Sequence, residues 1–339
     1  MNNSLLNILV DPITKGPLRL DGDRLYNADG MVYPINNGIP RFVLTEDSGQ
    51  KQTETSFGYK WQQESSYDTP AVHESARAWL VSRYGFQDVA AMRSFFAGRK
   101  RILDAGCGSG FSASLWMTTE WQGAQWVGAD ISVAIDVAQK RLAGGTDRHF
   151  VQADILQLPF PAKSFDTIFS EGVLHHTPST ERAFKSLVPL LEPGGELMFY
   201  VYRKKSPIRE FTDDHIRAAI ADLPPEEAWA VMRPLTKLGR ALAELHTEVE
   251  VPEDIPYLGI KAGRYDVQRL VYWHIAKLFW NETFSFEANN HVNFDWYAPR
   301  YAHRQTEAEV RRWCAESHLT ITHFDAQEAG FTVRALKAT

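Results

Sequence analysis

Residues 101 to 110 read Arg101-Ile102-Leu103-Asp104-Ala105-Gly106-Cys107-Gly108-Ser109-Gly110, an apolar strand that runs into an acid and then into glycines at alternate positions. Such a turn lets a ligand approach the backbone, and a helix starting near Ser112 would point its first N–H groups at a carboxylate or phosphate. Twenty residues after Gly110, the apolar stretch Gln125-Trp126-Val127-Gly128-Ala129-Asp130 ends in an acid placed to grip a ribose diol. Strand, glycine turn, helix, strand and acid together signal a cofactor that contains a nucleoside.

The order is Asp-x-Gly-x-Gly-x-Gly, whereas the dinucleotide fingerprint is G-x-G-x-x-G. Three further segments follow: Val151-Gln152-Ala153-Asp154-Ile155, Phe165-Asp166-Thr167-Ile168-Phe169-Ser170-Glu171 and Leu191-Glu192-Pro193-Gly194-Gly195-Glu196-Leu197. Taken in this order, the set resembles the class I S-adenosyl-L-methionine (SAM)-dependent methyltransferases of the type 11 group, over residues 100 to 202 and more weakly after 305. The resemblance implies a doubly wound, mostly parallel seven-stranded α/β sheet, Rossmann-like, with a small N-terminal β-rich module and a helical insertion. It also implies that Gly106, Gly108 and Gly110 hold the methionyl part of SAM and that Asp104 fixes its amino group. Asp130, with Ile131 beside it, would bind the ribose. Asp154 would bind the adenine amino group, flanked by Ala153 and Ile155, and Glu171 and Gly172 would lie beside the methyl position.

Composition agrees with a cytoplasmic enzyme. The chain of 339 residues, 44% hydrophobic and 12% aromatic, is long enough for a sizeable core. Two cysteines, Cys107 and Cys314, are too few for a disulfide framework. The first ten residues lack a basic n-region, and the sequence holds no long uncharged apolar run, so neither export nor a membrane span is expected. A net charge of −6 argues against broad nucleic-acid binding. Oligomeric state is not legible.

Domain organisation reads in five parts. Residues 1–45 alternate short apolar pieces with turn residues and form a small β-rich module. Their Asp11-Pro12 start and Tyr33-Pro34-Ile35-Asn36-Asn37-Gly38-Ile39-Pro40 end resemble a zinc-ribbon-like activator domain, but cysteines are absent near Asp11 and Thr14, so no zinc is expected. Residues 46–99 form a helical cap in which Phe57, Tyr59 and Trp61 would wall the sulfonium with aromatic faces. Residues 100–202 are the SAM-binding core, with strands near 101, 126, 149, 166 and 196. Residues 203–303 form a helical lid, with a packed helix over Leu270, Val271, Ile275, Leu278 and Phe279 and an acceptor-recognising loop at 291–304. Residues 304–339 close the core, with a capping box at Thr306-Glu307-Ala308-Glu309 and strands near 319 and 331.

Methyl transfer needs alignment more than acid–base chemistry, and a base only where the nucleophile is protonated. His175, His176, Tyr202, Tyr297 and Arg300 are the catalytic candidates, Arg300 as an anion clamp, with Tyr200, His291, Tyr301 and His303 behind them. The acceptor is expected to be a small molecule, a metabolite, glycosyl hydroxyl or thiol. The alternative is a tRNA or protein recruited through the N-terminal module, and a SAM-binding scaffold without activity is a third.

Overall fold

A computed structural model describes the chain except residues 1, 2, 45, 119, 120, 122 and 146. After a short helix α1 (Asn3–Leu6), the N-terminal module is a four-stranded antiparallel meander, β1 (Arg19–Asp21), β2 (Arg24–Tyr26), β3 (Val32–Asn36) and β4 (Ile39–Pro40). Its centre is a carboxylate. Asp11 is fully buried and accepts hydrogen bonds from the Ile13 and Thr14 N–H groups (2.9 and 2.7 Å), the Thr14 hydroxyl, the Asn27 amide (2.9 Å) and the Tyr33 hydroxyl (2.7 Å). Burial opposes ionisation there, but these donors win and lower the carboxyl to about 2.

Asp11→Ala is therefore expected to loosen the module while leaving the main core folded. Losing the bonds to that carboxylate costs at least about 2 kcal/mol, and hydrogen exchange over residues 13–40 reads the local opening. Because the folded pKa is depressed, the contribution is present above the ordinary carboxylate pKa of 3.8 and fades as pH falls towards 2.

The cap follows, α2 (Ser48–Gln62), α3 (Glu64–Tyr67), α4 (Pro70–Arg83) and α5 (Val89–Ala97), with Asp47, Thr69 and Asp88 as side-chain N-caps of the three longer helices. The core runs β5 (Arg101–Ala105), α6 (Phe111–Trp116), β6 (Gln125–Asp130), α7 (Ala134–Arg141), β7 (Arg148–Gln152), β8 (Phe165–Glu171), α8 (Thr180–Leu187) and β9 (Leu191–Tyr202). Next come α9 (Pro207–Ile220), α10 (Pro225–Ala243), a hairpin of β10 (Glu248–Val251) and β11 (Gly263–Asp266), then α11 (Val267–His274) and α12 (Phe286–Tyr297). Helix α13 (Glu307–Glu316), with its capping box at Thr306 and Glu309, leads into β12 (Leu319–Ala326) and β13 (Gly330–Lys337).

The seven strands lie in the order β12-β13-β9-β8-β5-β6-β7. Strands β7, β6, β5, β8 and β9 are parallel, and the closing pair is antiparallel. From β5 the chain winds outward through β6 and β7, then returns to the other side of β5 as β8. The reversal opens a crevice at the C-terminal ends of β5 and β8, where ligands bind in doubly wound sheets. The N-terminal module covers the β7 edge: the Phe42 N–H bonds the Gln152 carbonyl at 2.7 Å, and Arg41 pairs with Asp136 at 2.6 Å.

Two expectations for the insertion need correction. The helix read over 270–279 ends at His274, and side chains hold residues 278–281 outside it: Gln268 and Asn293 bond the carbonyls of Leu278 and Phe279, and Asn289 bonds both backbone groups of Asn281. Conversely, the first half of the loop read at 291–304 is the second half of α12. Its buried side mixes the amides Asn289, Asn290 and Asn293, all fully buried, with Phe294, Trp296 and Tyr297, so the apolar period that would betray the helix is broken.

Candidate active site

The crevice holds a cavity of about 330 Å³ that runs from the end of β6 to the face of α12. Its outer end is built by core residues. Gly106 follows β5, Asp130 and Ile131 end β6, Ala153 and Ile155 follow β7, and Glu171 and Gly172 end β8; all line the cavity. Asp130 also organises the glycine turn, since it accepts the Gly108 N–H at 2.8 Å and the Ser132 N–H and hydroxyl at 2.8 and 2.6 Å. Gly108 has φ of +53°, and a Cβ there would lie 2.7 Å from the Trp61 indole, so the cap seats directly on the turn. Gly172, at φ +71°, has open space where a Cβ would stand.

Several buried polar atoms around this end have no partner. Asp104 Oδ2, Glu171 Oε1, Gln50 Oε1 and Thr53 Oγ1 are all orphaned, although their residues are buried or line the cavity. Burial, with the neighbouring Asp130 carboxylate, pushes Asp104 up to about 8. Burial does the same to Glu171, also to about 8, despite the Tyr84 hydroxyl that donates to it at 2.5 Å. Two carboxyls short of donors beside a glycine turn, with an acid at the next strand end, fit a ligand carrying an ammonium group and a ribose. S-adenosylmethionine has both.

The inner end comes from α2, β9, α12 and the turn after β8. Helical spacing puts Thr53, Phe57, Lys60 and Trp61 on the cavity face of α2, and Tyr200 and Tyr202 enter from β9. Lys60 donates to Asp295 at 2.5 Å, and the Tyr202 hydroxyl lies 3.3 Å from the other Asp295 oxygen. Burial alone would raise Asp295, but the Lys60 ammonium, with His176 and Lys277, holds it far below the usual carboxylate range. His176 also lines this end, with its Nδ1 2.6 Å from the Tyr301 carbonyl. A carbonyl only accepts, so Nδ1 carries the hydrogen and Nε2 presents a lone pair, buried and without a donor. Burial lowers this imidazole to about 4, with the charges of Lys60 and Arg217 acting the same way, so the ring is neutral at pH 7.

The cavity gathers Gly106, Asp130, Ile131, Ala153, Ile155, Glu171, Trp61, His176 and Tyr202 from the residues singled out in the sequence. Others lie elsewhere. Asp104 sits beneath the glycine turn, fully enclosed, and Gly110 begins α6 in a left-handed conformation. Asp154 caps the turn after β7 through the Leu156 N–H at 2.9 Å. Tyr59 points to the opposite side of α2, against Trp229 and Phe294. His175 stacks on Tyr202 at 3.6 Å behind the wall. Tyr297 is buried, with its hydroxyl donating to Asp213 and accepting the Lys277 N–H, both at 2.9 Å. Arg300 is exposed and paired with Asp222, facing away from the cavity.

Sequence reasoning passed over Lys60, Asp295, Gln50 and Thr53. A signal for Lys60 exists, a lysine at helical spacing on an otherwise aromatic face. Asp295 had none, since its partner is 235 residues away.

Residues 103–199 match the family model described as "Methyltransferase domain". The phthiotriol/phenolphthiotriol dimycocerosates methyltransferase of Mycobacterium leprae is 33% identical over 131 residues, 38% of this chain and 47% of that protein. The malonyl-[acyl-carrier protein] O-methyltransferase of Legionella pneumophila is 36% identical over 101 residues, 30% of this chain and 35% of that protein. The tRNA U34 carboxymethyltransferase of Tolumonas auensis is 37% identical over 107 residues, 29% of this chain and 30% of that protein. The chain thus spans less than half the length of each of these relatives. Among the described residues no helix is long and apolar enough to cross a membrane, and no cluster of His, Cys, Asp and Glu could hold a metal ion. Residues 103–199 thus match a methyltransferase domain, and S-adenosylmethionine is the cofactor that the orphaned carboxyls and the acid ending β6 fit.

Proposed function

We propose that the chain transfers a methyl group from SAM to a small molecule held at the inner end of the cavity. One observation carries this reading: a single cavity joins the cofactor end, at Asp130 and Glu171, to an inner end walled by the rings of α2 and β9 and closed by Asp295. Bound SAM would supply a methyl carbon already activated by its positive sulfur. The protein's own residues would do the rest. Asp130 would hold the ribose hydroxyls and Glu171 the methionyl ammonium, with the charge of Asp104 acting from beneath the glycine turn, and Phe57 and Trp61 would keep water away. Most of the rate would then come from alignment and desolvation in a narrow site.

The relatives are named for phthiotriol/phenolphthiotriol dimycocerosates, for malonyl-[acyl-carrier protein] and for tRNA U34, so the shared domain does not choose the acceptor. The ring-walled inner end favours a small one. Labelled SAM, offered with pooled small metabolites in one arm and bulk tRNA in the other, tests this. Label is expected in the small-molecule fraction, and transfer to tRNA alone would refute the reading.

Asp104 and Glu171 add a pH dependence. Both carboxyls are mostly neutral below about 8, and an ammonium ligand favours their ionised forms. The affinity for S-adenosylhomocysteine is therefore expected to rise as pH goes from 6 to 8, read by calorimetry. Glu171→Gln should flatten part of that rise.

A further inference from the structure

The inner end of the cavity is specific about hydrogen bonds, and its specificity names an acceptor. Three groups can address a ligand there. His176 Nε2 offers a lone pair and no hydrogen, as fixed by the Nδ1 contact with Tyr301 at 2.6 Å, and it is buried without a donor. Lys60 has three N–H donors, of which Asp295 takes one at 2.5 Å. The Tyr202 hydroxyl is turned towards Asp295. Around them stand Phe57, Trp61, Trp79, Tyr200 and Tyr202, with Phe57 edge-on to His176 at 4.9 Å between ring centres.

We infer that the methyl acceptor is a hydroxyl group on an aromatic ring, which donates its hydrogen to His176 Nε2 while its oxygen accepts from Lys60. This rests on the reading of the cavity as a methyl-transfer site. The competing classes fit less well. A carboxylate would satisfy Lys60 but set its own lone pairs against that of Nε2. An alkyl ammonium would bring a second cation beside Lys60. A thiol is a weak donor and acceptor, and a carbon nucleophile leaves both groups unpaired. A hydroxyl supplies one strong donor and lone pairs together, and a flat ring matches the aromatic walls.

The chemistry balances without a further reactant. As the new C–O bond forms, the electron pair of the S–CH₃ bond stays on sulfur, and the hydroxyl proton passes to Nε2 and on to solvent. The weak basicity of His176 suits this order of events, because the proton becomes strongly acidic only as the oxygen takes the methyl group. Lys60 steadies the lone pairs of that oxygen before the transfer and is no proton carrier.

Binding tests the inference independently of turnover. With the full chain saturated in S-adenosylhomocysteine, 2-naphthol, its methyl ether 2-methoxynaphthalene, and 2-naphthoate are titrated in parallel. A site built to hydrogen-bond a hydroxyl rejects analogues lacking it, so 2-naphthol should bind at least about tenfold more tightly than either. The preference over the ether should vanish in His176→Leu, which keeps the S-adenosylhomocysteine affinity of the parent chain. In the presence of SAM, 2-methoxynaphthalene should accumulate. If S-adenosylhomocysteine binds but 2-naphthol shows no preference over the ether, or the naphthoate binds best, the aromatic-hydroxyl assignment is wrong while the methyl-transfer reading survives. If S-adenosylhomocysteine itself fails to bind, it is the underlying reading that falls.

Discussion

Asp130→Ala is expected to weaken S-adenosylhomocysteine binding by at least about a hundredfold, the largest effect of any single change at the cofactor end. The carboxylate has two duties. Its oxygens hold the glycine turn and the start of the next segment through the Gly108 N–H and the Ser132 N–H and hydroxyl, and it stands where ribose hydroxyls would add further donors. Removing hydrogen bonds to a charged group costs about 1.5–3 kcal/mol each, and here the turn loosens as well. Asp130→Asn keeps the shape but loses the charge and turns one acceptor oxygen into an NH₂ donor, so its affinity should fall between those of the parent and Asp130→Ala. Calorimetry gives the affinities, and thermal melting shows whether the fold survives. An Asp130→Ala protein that stays folded and binds normally would remove this acid from the site.

Lys60→Met is expected to be the most destabilising change at the inner end. The partner it leaves behind, Asp295, is a carboxylate whose side chain is only 22% exposed. Breaking a buried pair by removing one partner typically costs 3–5 kcal/mol, and this degree of exposure puts the loss near the lower limit, about 3 kcal/mol. Adding Asp295→Leu should recover most of it, because a charge no longer has to be buried alone. The pair also gives an acid signature. Asp295 titrates below its ordinary range in the fold, so its contribution is full above pH 3.8 and is lost as pH falls through the depressed value. Urea melts at pH 7 and pH 3 on the parent and both variants measure this; equal stabilities for the parent and Lys60→Met at pH 7 would refute it.

What could be read from the sequence was whatever is local in the chain. The strand-to-glycine passage at 101–110, the acid closing the next strand at Asp130, and the Glu171-Gly172 turn each carry their structural meaning within a few residues. Their strands and the closing pair near 319 and 331 stand where periodicity puts them. The lid defeats that reading for two reasons. In α12 amides interrupt the buried face, since Asn290 and Asn293 meet Thr236 and Asn289 holds the preceding turn beside the buried rings of Phe294, Trp296 and Tyr297, so hydrophobic periodicity is weakened there. The hairpin Glu248–Val251 with Gly263–Asp266 alternates charge with small or aromatic residues and is mostly exposed, so no buried face announces it. The acceptor end was hidden for a different reason. Lys60, His176, Tyr202 and Asp295 meet only because α2, the turn after β8, β9 and α12 converge, and no spacing in the chain encodes that meeting.

Tyr297 and Arg300 show the opposite failure. Both types are common in binding sites, yet Tyr297 spends its hydroxyl tying α9 to the segment before α12, and Arg300 pairs with Asp222 at the surface. Arg300→Ala should accordingly leave cofactor affinity and turnover unchanged.

The most direct test of the account is calorimetric titration of the purified full chain with S-adenosylhomocysteine and, in parallel, with NADH. One equivalent of S-adenosylhomocysteine is expected to bind and NADH to give no heat, because the glycine turn and Asp130 are arranged for a methionyl nucleoside without a pyrophosphate. Binding of NADH with no binding of S-adenosylhomocysteine would contradict it.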